Sequence, residues 1–366
     1  MPTKKQNRFA TIDGFRGLAA LGVVLYHFYG SLKPALDNAL PSFITTLFSY
    51  GYLGVPIFFV ISGFVISHTV GRTTITRKYF GNFILRRSIR LDFTYWASIL
   101  LAIILLLGKN LYLNADEPIP SMGNVLIHMF YLQDITQIHP LISVVYWTLC
   151  LEVQFYLFYI LTLWISQKTT STTDSVHSAI VIGVGCYSIL LDYGLLASPY
   201  PGLFFSNWHY FLLGVLVSKS NSSANNAPLF IWLAIELAFI FFNDARPYIF
   251  AGFTFATALF LILKLQLQNK LLQARGFQYF GVISYTLYLV HPDIGWKAIM
   301  FGKKFFKESL DTIDALALMA IGLMFSIITA HILHILVERP SLKLAAELKH
   351  RNLKDIVLKR HPAKTI

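Results

Sequence analysis

The chain has 366 residues, of which 55% are hydrophobic and only 13% charged, with a mean hydropathy of +0.59. That is far below the roughly 25% charge of an ordinary soluble domain, and it excludes a fold solvated by water on all sides. The net charge of +12 raises nucleic acid as a partner, but the placement of the lysines and arginines, given below, excludes it.

Taken in chain order, apolar stretches long enough to approach the roughly twenty residues of a membrane-crossing helix recur along the whole length. The predicted spans are 15–32, 50–70, 93–113, 142–165, 178–197, 206–218, 228–243, 248–268, 278–300 and 314–337. The sixth and seventh are short. The expected architecture is an all-α membrane protein, a bundle of about ten transmembrane helices, with one transmembrane domain over 1–340 and a basic cytoplasmic tail over 341–366. The first stretch is read as a span and not as a cleaved leader, because His27 interrupts its apolar run and no small-residue cleavage site follows. Stretches rich in Ser, Thr and Asn at 166–177 and 218–227 read as flexible loops. Cys150 and Cys186 both fall in predicted spans, at a spacing that suits neither a disulfide nor a metal, so no metal site is expected.

The basic residues sort by loop. With the N-terminus inside, 23 of the 30 lysines and arginines lie in the even-numbered connections and the two tails, and 7 lie on the opposite side. The positive-inside rule then puts both termini in the cytoplasm. One group departs from the rule: Lys297, Lys303, Lys304 and Lys307 fall on the predicted outer side, partly neutralised by Glu308, Asp311 and Asp314.

Ionisable groups within spans are costly unless they face a partner or a wet cavity, so each is a candidate for function. In TIDGFRGLAALGVVLYHFYG, the eleven steps from Arg16 to His27 return to within about 20° of the same helical face, and Asp13 falls about 40° away. One polar stripe about 21 Å long therefore carries Asp13, Arg16 and His27. It suits a donor whose anionic head stays at the cytoplasmic mouth while a neutral arm reaches inward, which is the shape of coenzyme A. Arg86, Arg87 and Arg90 in FILRRSIRLDFTYW share one side of a helical turn. Planar guanidinium forks at that spacing suit phosphates, and anchoring to lipid headgroups accounts for the same cluster from composition alone.

Several segments, in order, resemble the acyltransferase-3 family of membrane acyltransferases. IDGFRGLAALGVVLYH is similar to its first-helix signature through Asp13, Gly14, Arg16, Gly17 and His27. GVPIFFVISGFVI is similar to its second-helix motif around Ser62, Gly63 and Phe64. RRSIRLDFTYW places Arg87 and Arg90 on its double-arginine motif, and YWTLCLEVQFYL matches its W-S-L-x-x-E-x-Q-F-Y segment through Trp147, Glu152, Phe155 and Tyr156. HYFLLG, GVISYTLYLVHP and VERP follow at familiar places. Three departures stand out: Phe93 where a proline is usual, which puts the turn before the third span in question, Cys150 for a serine, and Val153 for a second acid.

The resemblance implies transfer of an acyl group, with acetyl as the default, from acyl-CoA to a hydroxyl of a carbohydrate in a surface polysaccharide, lipopolysaccharide or lipid-linked glycan. It implies the bacterial cytoplasmic (inner) membrane as the location. His27 is the expected general base, since imidazole titrates near neutrality. Glu152 is expected in the same site, pairing with an arginine, orienting His27 or binding acceptor hydroxyls. Arg16, Arg87 and Arg90 are expected to hold the donor phosphates. Asp13, Ser62, Tyr285 and His291 are expected in support: Asp13 as a partner of Arg16, Ser62 to let helices approach, Tyr285 and His291 in a substrate cavity or in packing. Acetyl-CoA is a donor substrate and no permanently bound cofactor is expected. The expected partners are acyl-CoA, a glycan acceptor and membrane lipids, with no nucleic acid. Some family members append an extracytoplasmic hydrolase-like domain; this sequence shows none, so a second-step partner is expected as a separate protein. The rival readings are a transporter or flippase, for which no repeat of pseudo-symmetric halves is seen, and a non-catalytic scaffold, which leaves the stripe of Asp13, Arg16 and His27 without a purpose.

Overall fold

The computed structural model describes residues 9–71, 73–169, 173–223, 225–242, 246–306 and 310–348. Among them the regular elements are helical, with no strand. The helices are α1 (Ala10–Asp37), α2 (Ser42–Ser49), α3 (Gly54–Val70), α4 (Arg77–Leu113), α5 (Met122–Met129), α6 (Gln133–Thr136), α7 (Trp147–Thr169), α8 (Thr173–Asp192), α9 (Trp208–Ser222), α10 (Ala227–Phe242), α11 (Pro247–Lys264), α12 (Arg275–Val290), α13 (Lys297–Gly302), α14 (Thr312–Leu333) and α15 (Arg339–Glu347). Each of the ten apolar stretches predicted from sequence falls on a helix.

Six helical segments are long and apolar enough to cross a membrane: Gly51–Val70, Arg77–Leu113, Trp147–Lys168, Ser175–Asp192, Pro247–Lys264 and Thr312–Glu347. The protein is a multi-pass integral membrane protein. The other predicted spans fall on α1, α9, α10 and α12, and the reason they miss this standard is physical. α1 is 28 residues long but carries Asp13, Arg16, Lys33 and Asp37. α9, α10 and α12 have only 15, 16 and 16 residues, about 22–24 Å of rise against a core of roughly 30 Å. α9 is enclosed by its neighbours, with every residue from Trp208 to Ser218 buried. A helix wrapped by others need not present an apolar face to lipid.

The two most extensive helix pairings are α3 with α9 and α1 with α12, and both close on glycine. A Cβ at Gly214 would strike the Val60 carbonyl, and one at Gly63 the Phe211 carbonyl. Gly17 meets the backbone of Gly281 and Phe280 in the same way. Missing side chains let the backbones approach, as in small-residue packing of membrane helices. The Gly63 neighbour of Ser62 is thus a packing position.

Two local expectations change. α4 begins at Thr76, whose hydroxyl accepts from the Tyr79 N–H at 3.1 Å, and runs unbroken through Phe93 to Leu113. No turn precedes the third predicted span: phenylalanine supplies the N–H and fits the φ/ψ that proline would have disturbed. The predicted loops at 166–177 and 218–227 are largely helical at their edges, since α7 runs to Thr169, α8 starts at Thr173 and α9 reaches Ser222. The expected tail starts inside α15, which packs against α4; residues 349–366 lie outside the described residues.

Candidate functional site

Arginines gather at one end of the bundle. Arg86, Arg87 and Arg90 come from the first half of α4, Arg16 from α1 and Arg339 from α15. Together they line a cavity of about 590 Å³ with Asp13, His334 and Glu338. The register explains the meeting: Arg86, Arg87 and Arg90 lie within one turn of α4, and α15 lies along that stretch. Arg87 holds its guanidinium 5.3 Å from the Tyr156 ring and 5.6 Å from the Phe83 ring, a cation–π sandwich. Neither Arg87 nor Arg90 makes a hydrogen bond or ion pair to another described residue. Their donors point into the cavity unused, while Arg86 donates to its own helix at the Asn82 carbonyl, 3.1 Å.

A narrower cavity of about 90 Å³ continues inward and shares Arg16, Arg87, Arg90, Val65 and Glu338 with the first. Glu152, Ser62, Tyr156, Tyr285 and Tyr288 also line it. The Glu152 carboxylate accepts from both the Ser62 and Tyr156 hydroxyls. The Ser62 proton is thus held by a carboxylate, which fixes that hydroxyl in the cavity wall. The Tyr285 hydroxyl donates to the Leu91 carbonyl at 3.0 Å, fixing its ring in the wall. Thr148 and Tyr288 join through their hydroxyls at 3.0 Å.

His27 and His291 sit beyond the inner end of this cavity and line neither space. Tyr288 stands between, its ring 5.9 Å from His291. His27 Nδ1 and His291 Nε2 are 2.9 Å apart, and His291 Nδ1 faces the Tyr288 carbonyl at 2.8 Å and the Leu287 carbonyl at 3.3 Å. Carbonyls only accept, so His291 carries its proton on Nδ1 and offers a lone pair on Nε2. His27 must then donate from Nδ1, which leaves the lone pair of a neutral His27 on Nε2. The contact survives protonation of His27, because its Nδ1 proton is unaffected.

The sequence-predicted residues divide into two groups. Asp13, Arg16, Ser62, Arg87, Arg90, Glu152 and Tyr285 surround the two cavities, and His27 and His291 form the pair beyond. Glu152 belongs to the arginine end and makes no hydrogen bond to His27. Sequence reasoning missed Glu338, Arg339 and Tyr288. The VERP segment held the signal for the first two: an acid and a base immediately after a long apolar run. There the helix widens, the Arg339 N–H bonding five residues back to the His334 carbonyl, as at many functional positions. His334 Nδ1 meets Glu338 at 2.8 Å.

Three further ionisable residues, Asp192, His209 and Glu236, form one network. His209, fully buried in α9, bonds Glu236 of α10 at 3.2 Å and Asp192 of α8 at 3.1 Å, one nitrogen to each. Tyr210 and Trp232 add hydrogen bonds to the same carboxylates, at 2.8 and 2.9 Å. Different nitrogens serve the two acids, so the trio ties helices and offers no common point to a metal.

The family model of the acyltransferase-3 family, described as an acyltransferase domain, matches residues 9–334. No curated protein and no solved structure matches the chain.

Proposed function

The chain belongs to the acyltransferase-3 family and is a membrane acyltransferase; on that footing we propose that it moves an acetyl group from acetyl-CoA to a hydroxyl of a carbohydrate. The observation that carries the reading is the pair of arginines, Arg87 and Arg90, with unused donors at the head of a cavity that narrows toward the histidine pair. A wide cationic mouth suits the phosphates of coenzyme A. The narrower passage suits its uncharged arm. Glu152 sets the position of the arginines' surroundings through Ser62 and Tyr156 and supplies a counter-charge.

The chemistry is direct transfer. The acceptor hydroxyl gives its proton to His27 Nε2 as its oxygen attacks the thioester carbonyl, and the tetrahedral intermediate expels the coenzyme A thiolate. The imidazolium returns the proton to that sulfur, leaving an ester and a free thiol. His291 accepts from His27 Nδ1 throughout and keeps the ring aligned. The acceptor is a sugar of a surface polysaccharide, lipopolysaccharide or lipid-linked glycan, the protein resides in the bacterial inner membrane, and both termini and the arginine mouth face the cytoplasm.

The test is to incubate the purified protein with acetyl-CoA and a panel of glycans and to detect O-acetylated product by mass spectrometry. Product is expected with the wild type and none with His27→Ala at equal expression. Wild-type turnover by His27→Ala removes the base, and consumption of acetyl-CoA with no acetylated glycan removes the acceptor class.

A further inference from the structure

A third cavity, of about 220 Å³, opens at the far end of the bundle from the arginines. Its wall includes Ala102, Ile103 and Leu106 of α4, about 18–24 Å along that helix from Arg90. Trp296, Pro118, Pro120 and Pro140 give it an apolar side, and Asp293 and Ser143 a polar one. The wide turn after His291 builds the floor: the Trp296 N–H bonds five residues back to the His291 carbonyl at 2.9 Å. This turn puts Asp293 and Trp296 two and five residues from the histidine that faces His27. The Trp296 indole N–H donates to Ser31, one helical turn beyond His27 on α1.

Hydrogen-bonding capacity here is left open. Asp293 is 5% exposed; its Oδ1 accepts from Lys297 at 2.7 Å, while Oδ2 has no partner among the described residues. The Ser143 hydroxyl, 6% exposed, lies beside that carboxylate and has no other partner among the described residues. Buried polar atoms that have only each other keep capacity for an occupant. The charges of the cavity are already paired, Lys297 with Asp293 and Lys109 with Glu117, so neither a cation nor an anion is favoured. Lys297 and Lys303, two of the lysines that break the positive-inside pattern, are engaged locally; Lys303 donates to the Ser31 carbonyl at 2.8 Å.

An indole, prolines, a carboxylate oxygen and a hydroxyl around a space without net charge fit a neutral polyol whose C–H face lies on the ring and whose hydroxyls reach the acid. We infer that this cavity is a binding subsite for a neutral sugar ring, placed on the opposite side of the histidine pair from the donor arginines. The inference rests on the acyl-transfer reading for the purpose of the sugar, and on the cavity alone for its binding. Donor and acceptor then approach His27 from opposite faces of the membrane.

The test is photoaffinity labelling of the full chain in lipid nanodiscs with diazirine-bearing neutral methyl hexosides, followed by peptide mapping. Adducts are expected in 117–144 and 292–297, displaced by excess unlabelled hexoside. Asp293→Asn lowers labelling at subsaturating probe by roughly tenfold, as loss of one charge-assisted contact predicts, and Ser143→Ala by about two- to tenfold, as loss of a neutral one predicts. Coenzyme A affinity stays at the wild-type value in both and reports an intact fold; Ser143→Ala leaves the Lys297 pair untouched if Asp293→Asn fails to fold. Adducts only elsewhere, or equal labelling in wild type and variants, overturn the subsite and leave a cavity holding ordered water only. Adducts in the cavity with no acetylated sugar in the transfer assay refute the acyl-transfer reading and leave the subsite standing.

Discussion

Replacing Arg90 by lysine separates donor binding from membrane anchoring, because it keeps the charge and the positive-inside signal and removes the planar fork. Arg90 makes no bond to another described residue, so its guanidinium gives up no internal contact and the loss falls on the ligand. A charge-assisted hydrogen bond is worth about 1.5–3 kcal/mol, which corresponds to about a ten- to hundredfold weaker grip on coenzyme A. Arg90 opens to a wet cavity, so the lower end is expected. Arg87 lies three residues earlier on the same face and reaches the same space, so the double lysine variant should lose less than the sum of the two single losses. Calorimetric titration of coenzyme A into wild type, Arg87→Lys, Arg90→Lys and the double variant measures each value. Equal affinity in Arg90→Lys and wild type refutes the donor role and leaves lipid anchoring.

His291→Phe keeps the ring volume and removes the acceptor for His27 Nδ1, so kcat should fall by about a hundredfold at unchanged coenzyme A affinity; His291→Gln, whose carbonyl can accept, should recover part of it, and an unchanged kcat in His291→Phe discards the pair. Single cysteines at positions 222 and 355 in a background lacking Cys150 and Cys186 should resist an impermeant thiol reagent on intact cells, and efficient labelling of either overturns the topology expected from the charge split. Gly214→Ala drives a Cβ into the Val60 carbonyl and should destabilise the α3–α9 crossing by about 1–3 kcal/mol, read as a lower thermal midpoint in detergent; an unchanged midpoint shows that the crossing yields.

The sequence exposes what depends on nearby residues. The rotation from Arg16 to His27 and the spacing of Arg87 and Arg90 follow from 3.6 residues per turn, and both features reappear on α1 and α4. What it hides depends on contacts between distant segments. Arg339 joins Arg90 only because α15 lies along α4, and His27 meets His291 across 264 positions; no periodicity records either meeting. The three shorter helices, α9, α10 and α12, fall below a membrane-crossing length at 15, 16 and 16 residues, and α9 can be short because its neighbours enclose it. Asp192, His209 and Glu236 look like isolated polar residues until α8, α9 and α10 bring them into one network. The continuity of α4 through Phe93 was a question the substitution raised and only the backbone answers.

That network bears on how the chain is made. An isolated α9 would present His209 to lipid on a segment about 22 Å long, and an isolated α10 would present Glu236. Neither is a comfortable passenger alone. Each becomes acceptable once the other, and Asp192 at the end of α8, is alongside. The three segments are consecutive in synthesis, so the ribosome delivers the partners one after another. Release into the bilayer is therefore expected as a group, with α9 held back from lipid until α10 has emerged to receive its imidazole.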